Sequence, residues 1–370
     1  MPYRIPLFQP VLDESETEAT RKVIESAWLS PGERVAEFEA KFAELIGCKH
    51  AIAVSSGTAA LHLSNLALGI GANDHVVTPS ITFVAGPNSI IACGAQPSFA
   101  DSTNLTCPHI GIDEIKKAIT PDTRAIHVTH YAGYACDMDR IMTLADQKGL
   151  PVIEDCAHSP GAKHKGTSCG NWGILGCFSF FPNKNITTAE GGMITTNEDQ
   201  LADKLRLLKS HGVKRHDIDY DVLYNGYNYR MDEIRAAIGI QQLKKLESIN
   251  RQRNLLAQQY QKNLNRIPNA CWPSYPTAEG SVDHIAVVAL AEGIDKNEIR
   301  AQLKRDGVET SFHYPPSHKF TVFKETHMKI ELPNAEKLAK SFLTIPRLLN
   351  STFSSFNRLL SVSTMATKHM

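Results

Sequence analysis

The 370-residue chain has no excess of charge of either sign: lysine plus arginine and aspartate plus glutamate stand at 39 each, for a formal net charge of +0. A global basic field of the kind that attracts nucleic acid is therefore missing, and no long block of like charge replaces it. There is no run of about 18 apolar residues, which argues against a membrane-spanning helix. The opening "MPYRIPLFQP" lacks an extended apolar segment, so no signal peptide is expected and a cytoplasmic location is. The eight cysteines include no C-x-x-C pair. Cys48, Cys93, Cys107, Cys136, Cys156, Cys169, Cys177 and Cys271 read as buried or incidental thiols. The fifteen histidines form no H-x-x-x-H pair beside a carboxylate at ligand spacing, so no metal is expected. "GIG" at residues 69–71 lacks the third glycine of a dinucleotide fingerprint. Internal repeats and low-complexity tracts are also missing.

What is present is an ordinary globular composition, 42% hydrophobic and 21% charged, with enough chain for a large core and two domains. Through about residue 250, strand-like and helix-like segments alternate. "HAIAVSS", "HVVTPS", "TRAIHVTHYAG" and "LPVIEDCAH" read as strands. "GTAALHLSNLALG" and "DMDRIMTLADQKG" read as helices closed by glycine. This alternation predicts an α/β fold with a mainly parallel sheet covered by helices on both faces. From residue 232 to about residue 264, apolar residues recur at three- and four-residue spacing without proline, which predicts one long helix. It would lead into a smaller α/β domain through a proline-rich linker. The expected division is residues 1–250 for the large domain and residues 251–370 for the small one.

One lysine is oddly placed. In "CFSFFPNKNITTAEGGMITT", Lys184 stands between an apolar strand and a glycine pair, where a bare ammonium is costly to bury. Two other stretches bear on it. "SSGTAALHL" sets Gly57 and Thr58 where a strand meets a helix; the amides there either cradle a phosphate or belong to an ordinary N-cap. "VIEDCAH" ends a strand with Asp155, which either holds a protonated heterocyclic nitrogen or caps the next turn. A phosphate cradle, a strand-end carboxylate and a lysine are together what pyridoxal 5'-phosphate requires. An imine to the cofactor would also remove the cost of burying Lys184 as a free cation.

In these segments the chain resembles the DegT/DnrJ/EryC1/StrS family of pyridoxal-phosphate-dependent sugar aminotransferases, of fold type I. The likeness runs from "WLSPGERVAEFEAKFAELIGCKH" to "HYPPSH", through "SSGTAALHL", "TPSITFVA", "VIEDCAHSPGA", "FSFFPNKNITTAEGG", "KSHG" and "GYNYRMDEIRAAIG". The resemblance implies roles for single residues. Lys184 would carry the cofactor and move the proton. Asp155 would hold the pyridinium nitrogen. Gly57, Thr58 and Ser179 would hold the phosphate, and Phe83 would stack on the ring. His158 would lie near the ring hydroxyl, Asn228 would reach the phosphate of a neighbouring subunit, and Arg230 and His313 would face the substrate. The implied partners are a nucleotide-linked ketosugar, a glutamate donor and a second copy of the chain in a homodimer with shared sites. "GYNYRMDEI" is closer to relatives that aminate C4 of 4-keto-6-deoxyhexoses.

Two departures from the family pattern stand out. Ala189, in "TAEGG", replaces the commoner glycine. The stretch after about residue 347, "RLLNSTFSSFNRLLSVSTMATKHM", does not resemble the family and reads like an altered reading frame or a divergent end. Two alternative readings are a dehydratase of the same family, which Lys184 argues against because those relatives carry histidine there, and a non-catalytic binding or regulatory member.

Overall fold

The computed structural model describes residues 3–277, 279–323 and 330–347. The atypical stretch from residue 348 onward lies outside them.

The N-terminal segment forms two amphipathic helices. α1 (Glu14–Ser26) opens on a capping box in which Asp13 and Glu16 satisfy each other's backbone amides. α2 (Glu33–Ile46) ends at Gly47 in the left-handed conformation. The central sheet then assembles from β1 (His50–Val54), β2 (His75–Pro79), β3 (Gln96–Ala100), β4 (Thr123–Thr129), β5 (Val152–Asp155), β6 (Leu175–Ser179) and β7 (Gly192–Thr196). Its seven strands lie in the order β1-β7-β6-β5-β4-β2-β3. All neighbours are parallel except β7, which runs antiparallel to both β1 and β6. These strands are almost wholly buried, as apolar runs in a sheet covered on both faces should be.

Helices α3 (Gly57–Ala67), α4 (Ala85–Ala92), α5 (Ile112–Ala118), α6 (Met138–Lys148) and α7 (Asp199–Leu208) supply the coverings. On one face, Phe38 and Phe42 of α2 interlock with Phe178 and Phe180 at edge-on angles, with ring centroids 4.8–6.2 Å apart. On the other, Leu61 and Leu63 of α3 and Leu205 of α7 pack on Ile52, Cys177 and Ile194.

α8 (Glu233–Leu264) is the long helix read from the sequence, and Asp232 caps it by accepting the Arg235 amide. It runs unbroken through residue 250. The stretch read as a linker contributes a short strand, β8 (Ala270–Cys271), which pairs antiparallel with β9 (Ala286–Leu290); β9 in turn pairs antiparallel with β10 (Phe342–Ile345). α9 (Lys296–Arg305) and α10 (Pro333–Ser341) pack against this small sheet. Ile5 bridges to Val308, so the chain's beginning also belongs to this layer.

Candidate active site

Strand order does the first part of the assembly. β7 lies between β1 and β6, with Gly192 opposite both Val54 and Ser179. The turn after β1 is therefore brought against the end of β6. A Cβ on Gly192 would sit 2.4 Å from the Ser56 carbonyl oxygen, and one on Gly57 would sit 2.7 Å from the Ser179 Cβ. Only glycine permits both approaches. Ser56 caps α3 by accepting the Ala59 amide, while the Gly57 and Thr58 amides open the helix. Thr58 is exposed and Ser179 half-buried, so the cradle faces outward. A helix start with free amides and two hydroxyls beside it suits a phosphate.

β5 stands next to β6, with Asp155 opposite Cys177. The Asp155 side chain is 6% exposed. It takes one hydrogen bond, from the Ala157 amide at 3.0 Å. Burial raises its pKa, against the opposing pull of the Ala157 amide and the Lys184 charge. Lys184 lies in the loop that joins β6 to β7. That loop is pinned by Phe180 N to Gly191 O (2.9 Å), Thr188 N to Phe180 O (2.9 Å) and Thr187 N to Gln242 Oε1 of α8 (3.2 Å). Among the described residues the Lys184 amine forms no ion pair. Burial lowers it to about 8, with the Asp155 carboxylate pulling the other way. Lys184 is thus a buried amine whose charged form burial disfavours, close enough to a buried carboxylate for each to feel the other.

Three histidines surround this pair. His158 Nδ1 accepts the Ala132 amide at 3.2 Å, which leaves Nε2 to donate to the Tyr314 hydroxyl at 2.9 Å. His284 Nδ1 meets Asn185 Oδ1 at 2.8 Å, and His313 Nδ1 meets Thr344 Oγ1 at 2.8 Å. Burial holds His158 and His284 well below the usual histidine range, and it lowers His313 to about 4; the nearby Lys184 charge adds to all three shifts. All three are neutral at pH 7.

Phe83, in the loop after β2, is 54% exposed, and its ring lies 5.8 Å from that of Tyr314. Arg230 pairs its backbone with Val54 and donates to Ser210 Oγ at 3.0 Å, beside the β1 turn. Asn228 pairs with Ser210 through the backbone and leaves its side chain exposed. Lys184, Asp155, His158 and His313 thus come together around one point, with Gly57, Thr58 and Ser179 at a neighbouring strand end. Phe83 and Arg230 border them, and the Asn228 side chain is exposed.

Sequence reading missed Tyr314, His284 and Asn185. Asn185 Nδ2 donates to Asn250 Oδ1 of α8 at 2.7 Å, so the residue after the lysine ties its loop to both α8 and His284. Tyr314 was adjacent to His313 in the "HYPPSH" segment, but nothing in the spacing ties it to His158. Ala189 has φ +65°, a left-handed conformation that favours glycine, which explains the residue usual there.

The sequence model of the DegT/DnrJ/EryC1/StrS aminotransferase family matches residues 10–358. The chain belongs to this family. Its fold is shared with the aminotransferase TlmJ from Streptoalloteichus hindustanus, at 32% identity and a TM-score of 0.94, over 99% of this chain and 100% of that one. PseC of Helicobacter pylori, an aminotransferase involved in the biosynthesis of pseudoaminic acid, is 27% identical with a TM-score of 0.93, over 99% and 100%. Spr1654 from Streptococcus pneumoniae, solved in its PMP form, is 25% identical with a TM-score of 0.92, over 99% of each chain. The protein is a pyridoxal-phosphate-dependent aminotransferase. The glycine-lined cradle, the singly bonded Asp155 and the unpaired Lys184 amine fit that cofactor's phosphate, ring nitrogen and aldehyde. Among the described residues no helix is long and apolar enough to cross a membrane.

Proposed function

We propose that the protein transfers an amino group from glutamate to C4 of a nucleotide-linked 4-keto-6-deoxyhexose, acting as a cytoplasmic homodimer. The observation that carries the transfer chemistry is Lys184, an amine lowered to about 8 and facing Asp155. The sugar reading rests on the likeness of the quoted segments to sugar aminotransferases and on PseC, whose role is in pseudoaminic acid biosynthesis.

When bound, the cofactor supplies an electron sink for a carbanion. The chain's own residues do the rest. Asp155 keeps a negative charge beside the ring nitrogen, where a charge-assisted contact outweighs a neutral one. The Gly57 and Thr58 amides and the Ser179 hydroxyl fix the phosphate. The neutral fraction of Lys184 Nζ, enlarged by burial, would accept a proton from the substrate carbon and deliver it to the other end of the C–N unit that is being transaminated. His158 and Tyr314 form a hydrogen-bonded wall that orients without adding charge. The test is incubation with glutamate and a set of nucleoside-diphosphate 4-keto-6-deoxyhexoses, with the product read by mass and NMR. Conversion of the C4 ketone to an amine is expected; amination only at C3, or none with any ketosugar, refutes the assignment.

The dimer reading has its own support. The strands Val213–Arg215 and Tyr220–Val222 form a hairpin that exposes Ile218 at its tip (97%) and Tyr220 (68%) and Val222 (54%) on its second strand. Apolar side chains so exposed suit burial against a second copy, and Asn228 follows closely in the chain. Lys184→Ala and Asn228→Asp subunits should complement when exchanged, because a mixed dimer holds one site with both native residues. Sedimentation of the active protein as a monomer would refute a shared site.

A further inference from the structure

Beside the Lys184 loop, the N-terminal segment, α8 and the small sheet enclose a cavity of ≈ 20 Å³, whose lining includes Asn183, Arg253, His284, His313 and Arg347. Arg253 and Arg347 are only 5% and 3% exposed. Arg253 Nη1 donates to the His284 carbonyl at 2.9 Å, and Arg347 Nη2 donates to the Arg253 carbonyl at 2.7 Å. Three more guanidinium nitrogens, Arg253 Nε, Arg347 Nε and Arg347 Nη1, are buried with no hydrogen-bond partner. Asn183 Oδ1 and His284 Nε2 also lack one.

The charge does not balance. Asp283 stands 3.6 Å from Arg347 Nη2 and also takes the Tyr134 hydroxyl. Among the described residues one carboxylate stands against two guanidinium groups, which leaves excess positive charge. Burial, joined by the Arg347 charge, lowers Arg253 to about 9. A buried cation without compensation and orphaned N–H groups are both unfavourable.

We propose that this cavity binds one small monovalent anion, a halide or a single carboxylate group, held by the free N–H groups of Arg253 and Arg347. Guanidinium groups keep their charge and donate in a fixed fork, which suits such an anion. The volume exceeds the roughly 10–15 Å³ that one water needs, so one small anion fits. Two sources share the chemistry. One is free chloride. The other is the carboxylate end of the amino donor, which rests on the glutamate reading above. Asn183 and His313 line the cavity, and Lys184 follows Asn183 directly, so the anion would lie within electrostatic reach of the amine.

Bromide soaked into crystals of the full chain should give an anomalous peak between Arg253 and Arg347. In solution, the ³⁵Cl NMR line should be broadened by the wild type and by the surface variant Lys41→Ala, and the broadening should vanish in Arg347→Leu. Arg347→Leu also removes the cation beside Asp283, so its fold is checked by circular dichroism, and Arg347→Lys, which keeps the charge but not the guanidinium fork, should lose most of the broadening as well. If glutamate abolishes both signals, the carboxylate is the natural occupant; if it leaves both, free halide is. Either result upholds the site whatever sugar the enzyme aminates. A bromide peak with no solution broadening marks binding at crystal concentration only and overturns the proposal. So does equal broadening by wild type and Arg347→Leu.

Discussion

Two adjacent carboxylates on one strand lead opposite lives. Glu154 is fully buried and fully satisfied. It accepts His130 Nε2 at 2.8 Å, the Gly170 amide at 2.9 Å, the Trp172 amide at 2.9 Å and the Gly173 amide at 2.7 Å. His130 Nδ1 in turn accepts the Cys136 amide at 3.1 Å, so nothing in that pair is left over for a ligand. Asp155, pointing to the other face of β5, takes one amide and faces an unpaired lysine. A closed set of hydrogen bonds stabilises the fold, whereas an open set is free for chemistry. Burial alone does not separate these two carboxylates; the count of satisfied partners does.

The sharpest test of the open side is Lys184→Ala. Turnover should fall by on the order of 10³-fold or more, with the fold retained. Borohydride should fix the cofactor to the wild type and fail to fix it to the variant. Labelling at another lysine would break the contrast at its centre.

On the closed side, Glu154→Leu should cost about 4 kcal/mol or more, because His130 and three backbone amides lose their acceptor in the interior. Denaturant unfolding measures this. A loss under about 1 kcal/mol would mean that the set is not what holds the strand end. Asp155→Asn should do the reverse. The rate should drop roughly 10²-fold while the stability of the cofactor-free protein stays level or rises.

The pH dependence of the cofactor-free protein tests the lysine more gently. The folded amine titrates near 8, below its ordinary 10.5. Between those values the unfolded chain binds more protons, so stability rises with pH across that window. Below it the penalty for burying the ammonium is present in full. Lys184→Met should therefore be more stable than wild type at pH 7, and the gap should close by about pH 10.5, read from unfolding midpoints across the range. A gap independent of pH would remove the argument that burial lowers the amine.

The smallest effect is expected at Ala189. Its left-handed backbone strains any side chain, by roughly 1–2 kcal/mol. Glycine relieves that but loses more chain entropy, roughly 0.4–1 kcal/mol. Ala189→Gly should raise stability by up to about 1.6 kcal/mol; a clear loss would show that the turn tolerates the methyl group without strain.

The order of elements, the single long helix, and the three kinds of group gathered in the candidate site were legible in the residues, because strand burial, helical spacing and caps are local. Asp155 at a strand end and Lys184 between an apolar run and a glycine pair were visible for the same reason. The sequence could not separate Glu154 from Asp155, since both close the same buried strand and only the distant Gly170–Gly173 stretch decides which one is satisfied. Nor could it bring Tyr314 to His158, His284 to Asn185, or Arg347 to Arg253. Those contacts join segments from about a hundred to over a hundred and fifty residues apart. No local spacing encodes them. They exist because the small sheet packs against α8 and the lysine loop, so the number of partners each buried polar group finds is set by packing rather than by its neighbours in the chain.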